Sequence, residues 1–242
     1  MTGTGPPRAY QLVTGWVEER ILAGALTVGD LIPAERDLAS TLSVSRSAVR
    51  EAVRTLQAQG VLVSSVGAGG AGGTRVSALP SGALTRLLRM HVALANFALD
   101  DVLEVRVALE RLSARLAAPR LTSDDLAAMQ ASLRAMREAP TRDDFNDADT
   151  AFHVAIAEAA GNRLAADTTV AIRESVRAPL QAGFARLDEQ DYEQLRVVLL
   201  TEHEQICAAL ARGQAEEAET LLEEHVRRAW ARLGHGFATM EG

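Results

Sequence analysis

Residues 32–62, IPAERDLASTLSVSRSAVREAVRTLQAQGVL, contain two helical patterns separated by a short turn. Pro33 suits the first turn of a helix, where a missing N–H costs nothing, and Glu35 suits the positive end of the helix dipole. Ser45 is a favourable N-cap for the second helix, in which apolar residues recur at helical spacing until Gly60 ends it. The segment therefore predicts two short helices joined by a tight turn.

The segments on either side extend this pattern to a small domain. Residues 9–24 have the apolar spacing of a helix, and VLVSSV (61–66) and TRVSAL (74–79) are strand patterns around the glycine-rich GAGGAGG. Three helices followed by two strands are the order of a winged helix-turn-helix. We predict that domain over residues 1–78; a small α+β domain with a purely structural role is the alternative.

The rest of the chain, residues 79–242, contains only helical patterns. The fold class is therefore mainly α: an N-terminal winged helix-turn-helix followed by an all-α helical bundle. Pro80 marks the start of the second domain, and Pro179 is expected to kink a long helix. The predicted helices cover residues 82–96, 99–118, 122–138, 143–160, 163–186, 191–212 and 215–234.

Composition limits the cellular context and the part of the chain that meets nucleic acid. Cys207 is the single cysteine, no apolar run is long enough to span a bilayer, and residues 1–11 lack the apolar core of a signal peptide. We therefore expect a cytoplasmic protein without a membrane partner, with Cys207 in a helix core. The net charge of −7 is uneven, because residues 1–78 carry +1 and residues 79–242 carry −8. Only the N-terminal third is therefore suited to nucleic acid.

Arginines line one face of the predicted third helix. Arg46, Arg50 and Arg54 follow one another at i, i+4 and i+8, so they share that face. Guanidinium groups pair with guanine edges and with phosphates, and Arg36 is a further phosphate candidate. The face predicts binding to double-stranded DNA; a solvated charged surface that includes Glu51 is the alternative.

A second candidate site combines one carboxylate with three imidazoles. Asp149 and His153 lie four residues apart in the helical pattern DADTAFHVAIAEAAGN, so their side chains meet on one face. His203 and His225 lie ten residues before and twelve residues after Gly213, and an antiparallel helical hairpin would bring them to about the same level. This donor set suits a divalent ion, zinc first, with nickel or manganese as alternatives. The competing interpretation treats each histidine as a separate core or surface residue.

Arg106 shares a helix face with Val102 and Leu109. A guanidinium among aliphatic side chains needs an anionic partner. A small organic acid held beside the metal is one such partner, and Glu110, at i+4, is the other. We predict that Arg106 binds this acid, which would be the regulatory ligand, or effector, of the protein.

Residues 32–62 resemble the DNA-binding domain of the GntR family of bacterial transcription regulators. The residues that match this long motif are Pro33, Glu35, Arg36, Ser45, Arg46, Arg50, Glu51 and Ala52. The resemblance implies direct DNA contacts by three arginines and phosphate contacts by two serines. These residues are Arg36, Arg46, Arg50, Ser45 and Ser47. The family wing is shorter than the segment GAGGAGGTRV, in which Arg75 is the single charged residue.

The second domain resembles the FCD ligand-binding domain of the FadR subfamily. The resemblance is carried by LEVRVALE, DTAFHVAIAEAAGN and EHEQICAALARGQAEEAETLLEEHV. In metal-containing members one Asp and three His bind a single ion, and the resemblance implies the same here. The matching residues are Asp149, His153, His203 and His225. It also implies that Arg106 pairs with the carboxylate of a small organic acid.

These patterns favour a ligand-responsive transcription regulator without enzymatic activity. A helix-turn-helix reads only a few base pairs, so we expect a homodimer on a palindromic operator. A metal-dependent enzyme is the first alternative, although the chain has no His-Glu-x-x-His motif and Glu202 is expected to point off the ligand face. A metal-stabilised interaction domain without an effector is the second.

Overall fold

The computed structural model of the protein describes residues 8–65, 73–77 and 81–233. The chain divides into two compact units, Met1–Ala83 and Leu84–Gly242. The domain boundary predicted between residues 78 and 79, the marker Pro80 and residues 67–72 of the glycine-rich GAGGAGG all lie outside the described residues.

The first unit contains three helices and an antiparallel pair of strands. The helices are α1 (Ala9–Leu22), α2 (Glu35–Thr41) and α3 (Arg46–Ala58), and the strands are β1 (Leu62–Ser65) and β2 (Gly73–Val76). This element order confirms the winged helix-turn-helix prediction. A single bridge between Leu31 and Arg75 adds a further edge to the sheet, which the sequence did not predict.

The prediction for the start of α2 was wrong by about half a turn. Pro33 precedes the N-cap residue Ala34, whose backbone is extended at φ −58° and ψ 149°, so Pro33 lies before the helix. The reason is a hydrogen bond to strand β2: the N–H of Ile32 donates to the carbonyl of Thr74 at 2.9 Å. That hydrogen bond keeps the chain extended until Ala34.

Helix α3 begins and ends where its sequence signals predict. The Ser45 hydroxyl accepts a hydrogen bond from the N–H of Ala48 at 3.2 Å, which satisfies one of the free donors of the first turn. Gly60 follows α3 with φ 75°, a left-handed conformation that glycine adopts without steric cost. The fully buried residues that hold α1, α2 and α3 together are Val13, Val17, Leu38, Val49, Ala52 and Leu56.

In the described part of the chain after residue 80, helices are the only secondary-structure elements. Every predicted helix is present, with each end within three residues of its predicted position. The helices are α4 (Ser81–Ala93), α5 (Leu99–Ala117), α6 (Ser123–Glu138), α7 (Arg142–Ala159), α8 (Arg163–Arg186), α9 (Glu189–Ala211) and α10 (Ala215–Leu233), with a 3-10 turn at Ala118–Arg120.

The core of this bundle is built from long apolar side chains on the inner faces of α6 to α10. Its largest fully buried members are Phe145, Phe152, Met129, Met136, Ile156, Ile206, Leu210 and Leu222. Helices α9 and α10 form the predicted hairpin, with Gly213 (φ 71°) in its turn. None of the helices in the described ranges is long and apolar enough to cross a membrane.

Helix α8 passes through Pro179 without interruption and makes a close contact with α10 one turn later. A Cβ atom built on the buried Gly183 would lie 2.6 Å from the backbone oxygen of Leu233. Only glycine therefore allows this approach. The Arg186 guanidinium donates to the same carbonyl at 3.3 Å, so α8 and the end of α10 are joined through this one peptide group.

Candidate DNA-binding helix and metal centre

The residues predicted to contact DNA share the solvent face of the helix-turn-helix. Ser45, Arg46, Ser47 and Arg50 are exposed at the start of α3, whose opposite face is buried. Arg36 on α2 is also exposed, and its Nε lies 3.3 Å from Asp37. The structure thus places all five predicted residues on the surface of the first unit.

Two of these arginines differ in their surroundings. Arg50 Nε donates to the Glu35 carboxylate at 2.9 Å, which links α3 to the first turn of α2. Within the described residues Arg46 has no carboxylate partner. Arg46 is therefore free to pair with an external anion, whereas Arg50 would have to share or exchange its present partner.

The four predicted metal ligands come together in the centre of the second unit. Asp149 and His153 project from α7, His203 from α9 and His225 from α10, and one donor atom from each lies within 4.8 Å of the others. His203 Nε2 is 3.1 Å from Asp149 Oδ1 and 3.3 Å from His153 Nε2. These two separations fit ligands around one ion, because bonds of about 2.1 Å place neighbouring ligands roughly 3.0–3.4 Å apart. His153 Nε2 and Asp149 Oδ1 are further apart, at 4.0 Å.

The cluster is withdrawn from solvent. The exposed fraction is 0% for the His153 and His203 side chains, 1% for His225 and 15% for Asp149. Burial lowers the pKa of His153 to about 3, and burial likewise holds the pKa of His225 well below its usual range. The imidazoles of His153 and His225 are therefore neutral at pH 7, which is the form that binds metals.

Two of the three imidazoles are held by carboxylates on the side away from the cluster. His153 Nδ1 lies 2.9 Å from Glu110 Oε2, and His225 Nδ1 lies 2.8 Å from Glu202 Oε2. A carboxylate at Nδ1 fixes the proton there and leaves Nε2 free as a ligand. The sequence analysis predicted that Glu202 points off the ligand face and did not predict its contact with His225. That contact, with the Nδ1 atom of His225, results from the packing of α10 against α9.

Arg106 is buried and contacts Glu110, as the alternative interpretation anticipated. The Arg106 Nε–Glu110 Oε1 distance is 3.6 Å, and among the described residues this Nε has no hydrogen-bond partner. Burial lowers the pKa of Arg106 to about 10, which leaves the group charged at pH 7. Arg106 is thus a buried cation with a single long ion pair.

A second buried guanidinium, Arg173 on α8, was missed by the sequence analysis. Arg173 pairs with Asp149 Oδ2 and donates to Glu110 Oε1 at 3.1 Å. Burial by itself would raise the pKa of Asp149, but Arg173 and the histidines outweigh it and hold the carboxylate ionised. The sequence did contain a signal for Arg173: it shares the buried face of α8 with Thr169 and Val176. An arginine on an otherwise uncharged helix face is also what identified Arg106.

Two family models match the chain. Residues 9–71 match the model of bacterial regulatory proteins of the gntR family, and residues 101–228 match the model of the FCD domain. The first range contains the helix-turn-helix with its exposed arginines. The second contains Arg106, all four candidate ligands, Glu110, Arg173 and Glu202.

Named relatives match over most of their length. The HTH-type transcriptional regulator LutR of Bacillus subtilis (strain 168) is 30% identical over 208 residues, which are 84% of this chain and 91% of LutR. The Glc operon transcriptional activator of Escherichia coli (strain K12) is 27% identical over 223 residues, 90% of this chain and 85% of that protein. The solved structure of Streptococcus agalactiae GntR has a TM-score of 0.53 at 24% identity and covers 90% of this chain and 98% of its own, so it shares the fold.

Proposed function

We propose a metal-dependent effector response for this chain, which belongs to the GntR family of bacterial regulatory proteins, carries an FCD domain and is a transcriptional regulator. The helix-turn-helix binds an operator, and a divalent ion in the second unit holds a small carboxylate that changes operator affinity. The observation that carries the proposal is the buried cluster of one carboxylate and three imidazoles within 4.8 Å.

The donor set supports a borderline divalent ion. Three imidazole nitrogens and one carboxylate are ligands typical of zinc, and nickel or manganese accept the same set. Glu110 and Glu202 hold two of the imidazoles in the ligating tautomer. Asp149, His153, His203 and His225 would hold the ion, which when bound supplies positive charge and open coordination positions for an oxygen ligand.

The charge balance of the site supports an anionic effector. Arg106 and Arg173 are offset by Glu110 and Asp149, and Glu202 is offset by Arg228, so the charges around the cluster cancel without an ion. A bound divalent ion would add two positive charges to this buried site, and these need nearby negative charge. A small organic acid provides it through one or two carboxylates.

Arg106 is the residue best placed to bind the second oxygen or second carboxylate of that acid. Its ion-pair partner Glu110 is already engaged by Arg173 and His153 at shorter distances. Asn146, one turn before Asp149 on α7, is also buried and has an Nδ2 without a hydrogen-bond partner in the described part of the chain. Both groups are donors that lack an acceptor, and a carboxylate supplies acceptors.

The DNA-binding half of the proposal is a homodimer on an inverted repeat. Each helix-turn-helix places its α3 in one major groove, and two copies read two half-sites. Arg46 and Arg50 contact bases or phosphates from α3, Ser45 and Ser47 approach phosphates at its first turn, and Arg36 adds a contact to the DNA backbone.

Arg46→Ala should weaken operator binding strongly, by about 1–3 kcal/mol, while the thermal unfolding of the protein stays unchanged.

The experiment measures operator binding by fluorescence anisotropy with zinc-loaded protein and a panel of acetate, lactate, succinate and citrate. At least one acid should change operator affinity by about tenfold. Arg106→Met should abolish that change and retain zinc and operator binding. Arg111→Met is the matched control, since Arg111 lies on the outer side of α5 and pairs with Glu219 and Glu223.

Two results would reject parts of the proposal. Protein that binds no zinc, nickel or manganese rejects the metal centre, and the metal-stabilised interaction domain with it. An Arg106→Met variant that responds to the acid like the wild type rejects the role of Arg106. Zinc-dependent turnover of any acid in the panel would instead favour the enzyme alternative.

A further inference from the structure

Arg173 lies between one candidate ligand, Asp149, and Glu110, the carboxylate that contacts a second candidate ligand, His153. On one side its Nη2 pairs with Asp149 Oδ2, and on the other its Nη1 donates to Glu110 Oε1 at 3.1 Å. The guanidinium is almost completely buried, with 3% of the side chain exposed. A planar guanidinium presents two terminal nitrogens in fixed directions and can hold two carboxylates at a set spacing, which the rotatable donors on the single nitrogen of a lysine do not impose.

Glu110 continues this link to the second ligand. Its other oxygen, Oε2, accepts from His153 Nδ1 at 2.9 Å. Asp149 and His153 therefore face the cluster through Oδ1 and Nε2, while their outer atoms are joined through Arg173 and Glu110. The result is a closed chain of contacts from Asp149 through Arg173 and Glu110 to His153, with both ends at the cluster.

We propose that Arg173 is a positioning residue for the metal centre and that it acts through Asp149 and Glu110. We call the pair of contacts of Arg173 with Asp149 and Glu110 the Arg173 bridge. The bridge holds Asp149 Oδ2, so that Asp149 binds the ion through Oδ1 alone. It also holds Glu110 on His153, so that His153 presents Nε2. The inference rests on the proposed metal site and assigns it a determinant on α8, which carries none of the four ligands.

The surroundings of Arg173 argue against two simpler roles. The Nε of Arg173, like that of Arg106, has no hydrogen-bond partner among the described residues. A residue that binds the effector would also keep a terminal nitrogen free, but both terminal nitrogens of Arg173 are already paired with carboxylates. Arg106, with its single long contact, is the better candidate for that role. A residue that only neutralises buried charge would need to pair with one carboxylate. Arg173 pairs with two, of which one is a candidate ligand and the other contacts a candidate ligand.

The bridge also gives a reason why the two ligands of α7 should act as a unit. Loss of the guanidinium would leave Asp149 Oδ2 without its cation and leave Glu110 with Arg106, at 3.6 Å, as its remaining guanidinium partner. Asp149 could then turn both oxygens to the ion, and Glu110, the partner that fixes the proton of His153, would be held less firmly in place. Outer partners of this kind typically change metal affinity by about 10–100-fold.

The test compares Arg173→Met with Arg177→Met in the full-length protein. Arg177 lies one turn further along α8 and also pairs with a carboxylate of α7, Asp147, but that carboxylate is exposed and leads to no ligand. Affinity for Zn²⁺ is measured by competition with a chromophoric chelator, and coordination is measured by the visible absorption of Co²⁺-substituted protein. Circular dichroism and a cooperative melt confirm that each variant is folded.

Arg173→Met should weaken Zn²⁺ binding by about 10–100-fold and change the Co²⁺ spectrum. Arg173→Lys, which restores the charge and not the double contact, should recover only part of the affinity. Arg177→Met should keep both the affinity and the spectrum of the wild type. Glu110→Gln removes the other half of the bridge and serves if Arg173→Met does not fold; it should show the same changes.

The outcomes separate this inference from the proposed function. A wild-type protein that binds no Zn²⁺ rejects the metal centre itself. Normal Zn²⁺ binding in the wild type with unchanged affinity and Co²⁺ spectrum in folded Arg173→Met rejects the bridge alone. Lower stability of the metal-free Arg173→Met variant with unchanged Zn²⁺ affinity also rejects it, because that pattern is what simple charge compensation would produce.

Discussion

Among single residues, Glu202 has an influence on the metal centre that its position in the chain does not suggest. It precedes His203 on α9, yet its carboxylate accepts from His225 on α10, and its other oxygen pairs with Arg228. Glu202 therefore orients a ligand of the neighbouring helix and connects that ligand to a half-exposed arginine.

Glu202→Ala should weaken Zn²⁺ binding by about 10–100-fold, because His225 loses the acceptor that fixes its Nδ1 proton. Glu204→Ala is the control: Glu204 lies two residues away on α9 and pairs with Arg137 at the surface. Chelator competition measures both variants. Equal affinities for the two would contradict the orienting role.

Cys207 gives a second prediction at this scale. The thiol is buried on α9, and burial raises its pKa. Because only the thiolate reacts with disulfide reagents, folded protein should react with such a reagent at pH 8 far more slowly than protein in denaturing urea. Equal rates in the two states would show that this segment of α9 opens readily.

Some site residues were predictable and others were not, for a physical reason. Asp149 and His153 follow from helix periodicity within one segment, and the shared level of His203 and His225 follows from counting residues on either side of Gly213. Glu110, Arg173 and Glu202 reach the ligands across helix–helix interfaces, and those depend on the rotation of each helix about its axis. One sequence alone does not fix these rotations.

At the level of elements, the close approach of α8 and α10 depends on Gly183. Gly183→Ala should destabilise the protein by about 1–3 kcal/mol, because the added methyl group meets the Leu233 backbone, which cannot rotate away. Gly15→Ala on α1 is the matched substitution in open space and should stabilise by about 1 kcal/mol. Urea unfolding measures both, and a neutral Gly183→Ala would mean that the two helices separate at no cost.

The helices themselves were predicted well because their ends carry strong local signals. Thr122 and Asp125 form a reciprocal capping box at the start of α6, and Asn162 caps α8. Pro33 misled the prediction for α2, since a hydrogen bond from Ile32 to the sheet holds the preceding segment extended. That contact joins residues far apart in the chain, which local signals do not reveal.

At the scale of the whole molecule, a metal bound by α7, α9 and α10 should stabilise the folded chain. An ion at about one hundred times its dissociation constant contributes about 2.7 kcal/mol, and each kcal/mol corresponds to roughly 2–4 °C for a protein of this size. Chelation should therefore lower the melting temperature by about 5–10 °C, and added Zn²⁺ should restore it. His203→Ala should melt at the same temperature with and without chelator. Identical melting of wild-type protein before and after chelation would contradict the metal centre.

The hairpin of α9 and α10 has a consequence for the order in which the molecule folds. Glu202 and His225 are 23 residues apart, whereas His153 and His203 are 50 apart. Closing the longer segment costs about 0.7 kcal/mol more in chain entropy, so the α9–α10 hairpin forms at a lower entropic cost than the contact between α7 and α9. A refolding chain thus gains a two-histidine half-site before α7 docks. An ion captured at that stage would shorten the search for the native arrangement, and the rate of refolding would rise with the concentration of free Zn²⁺.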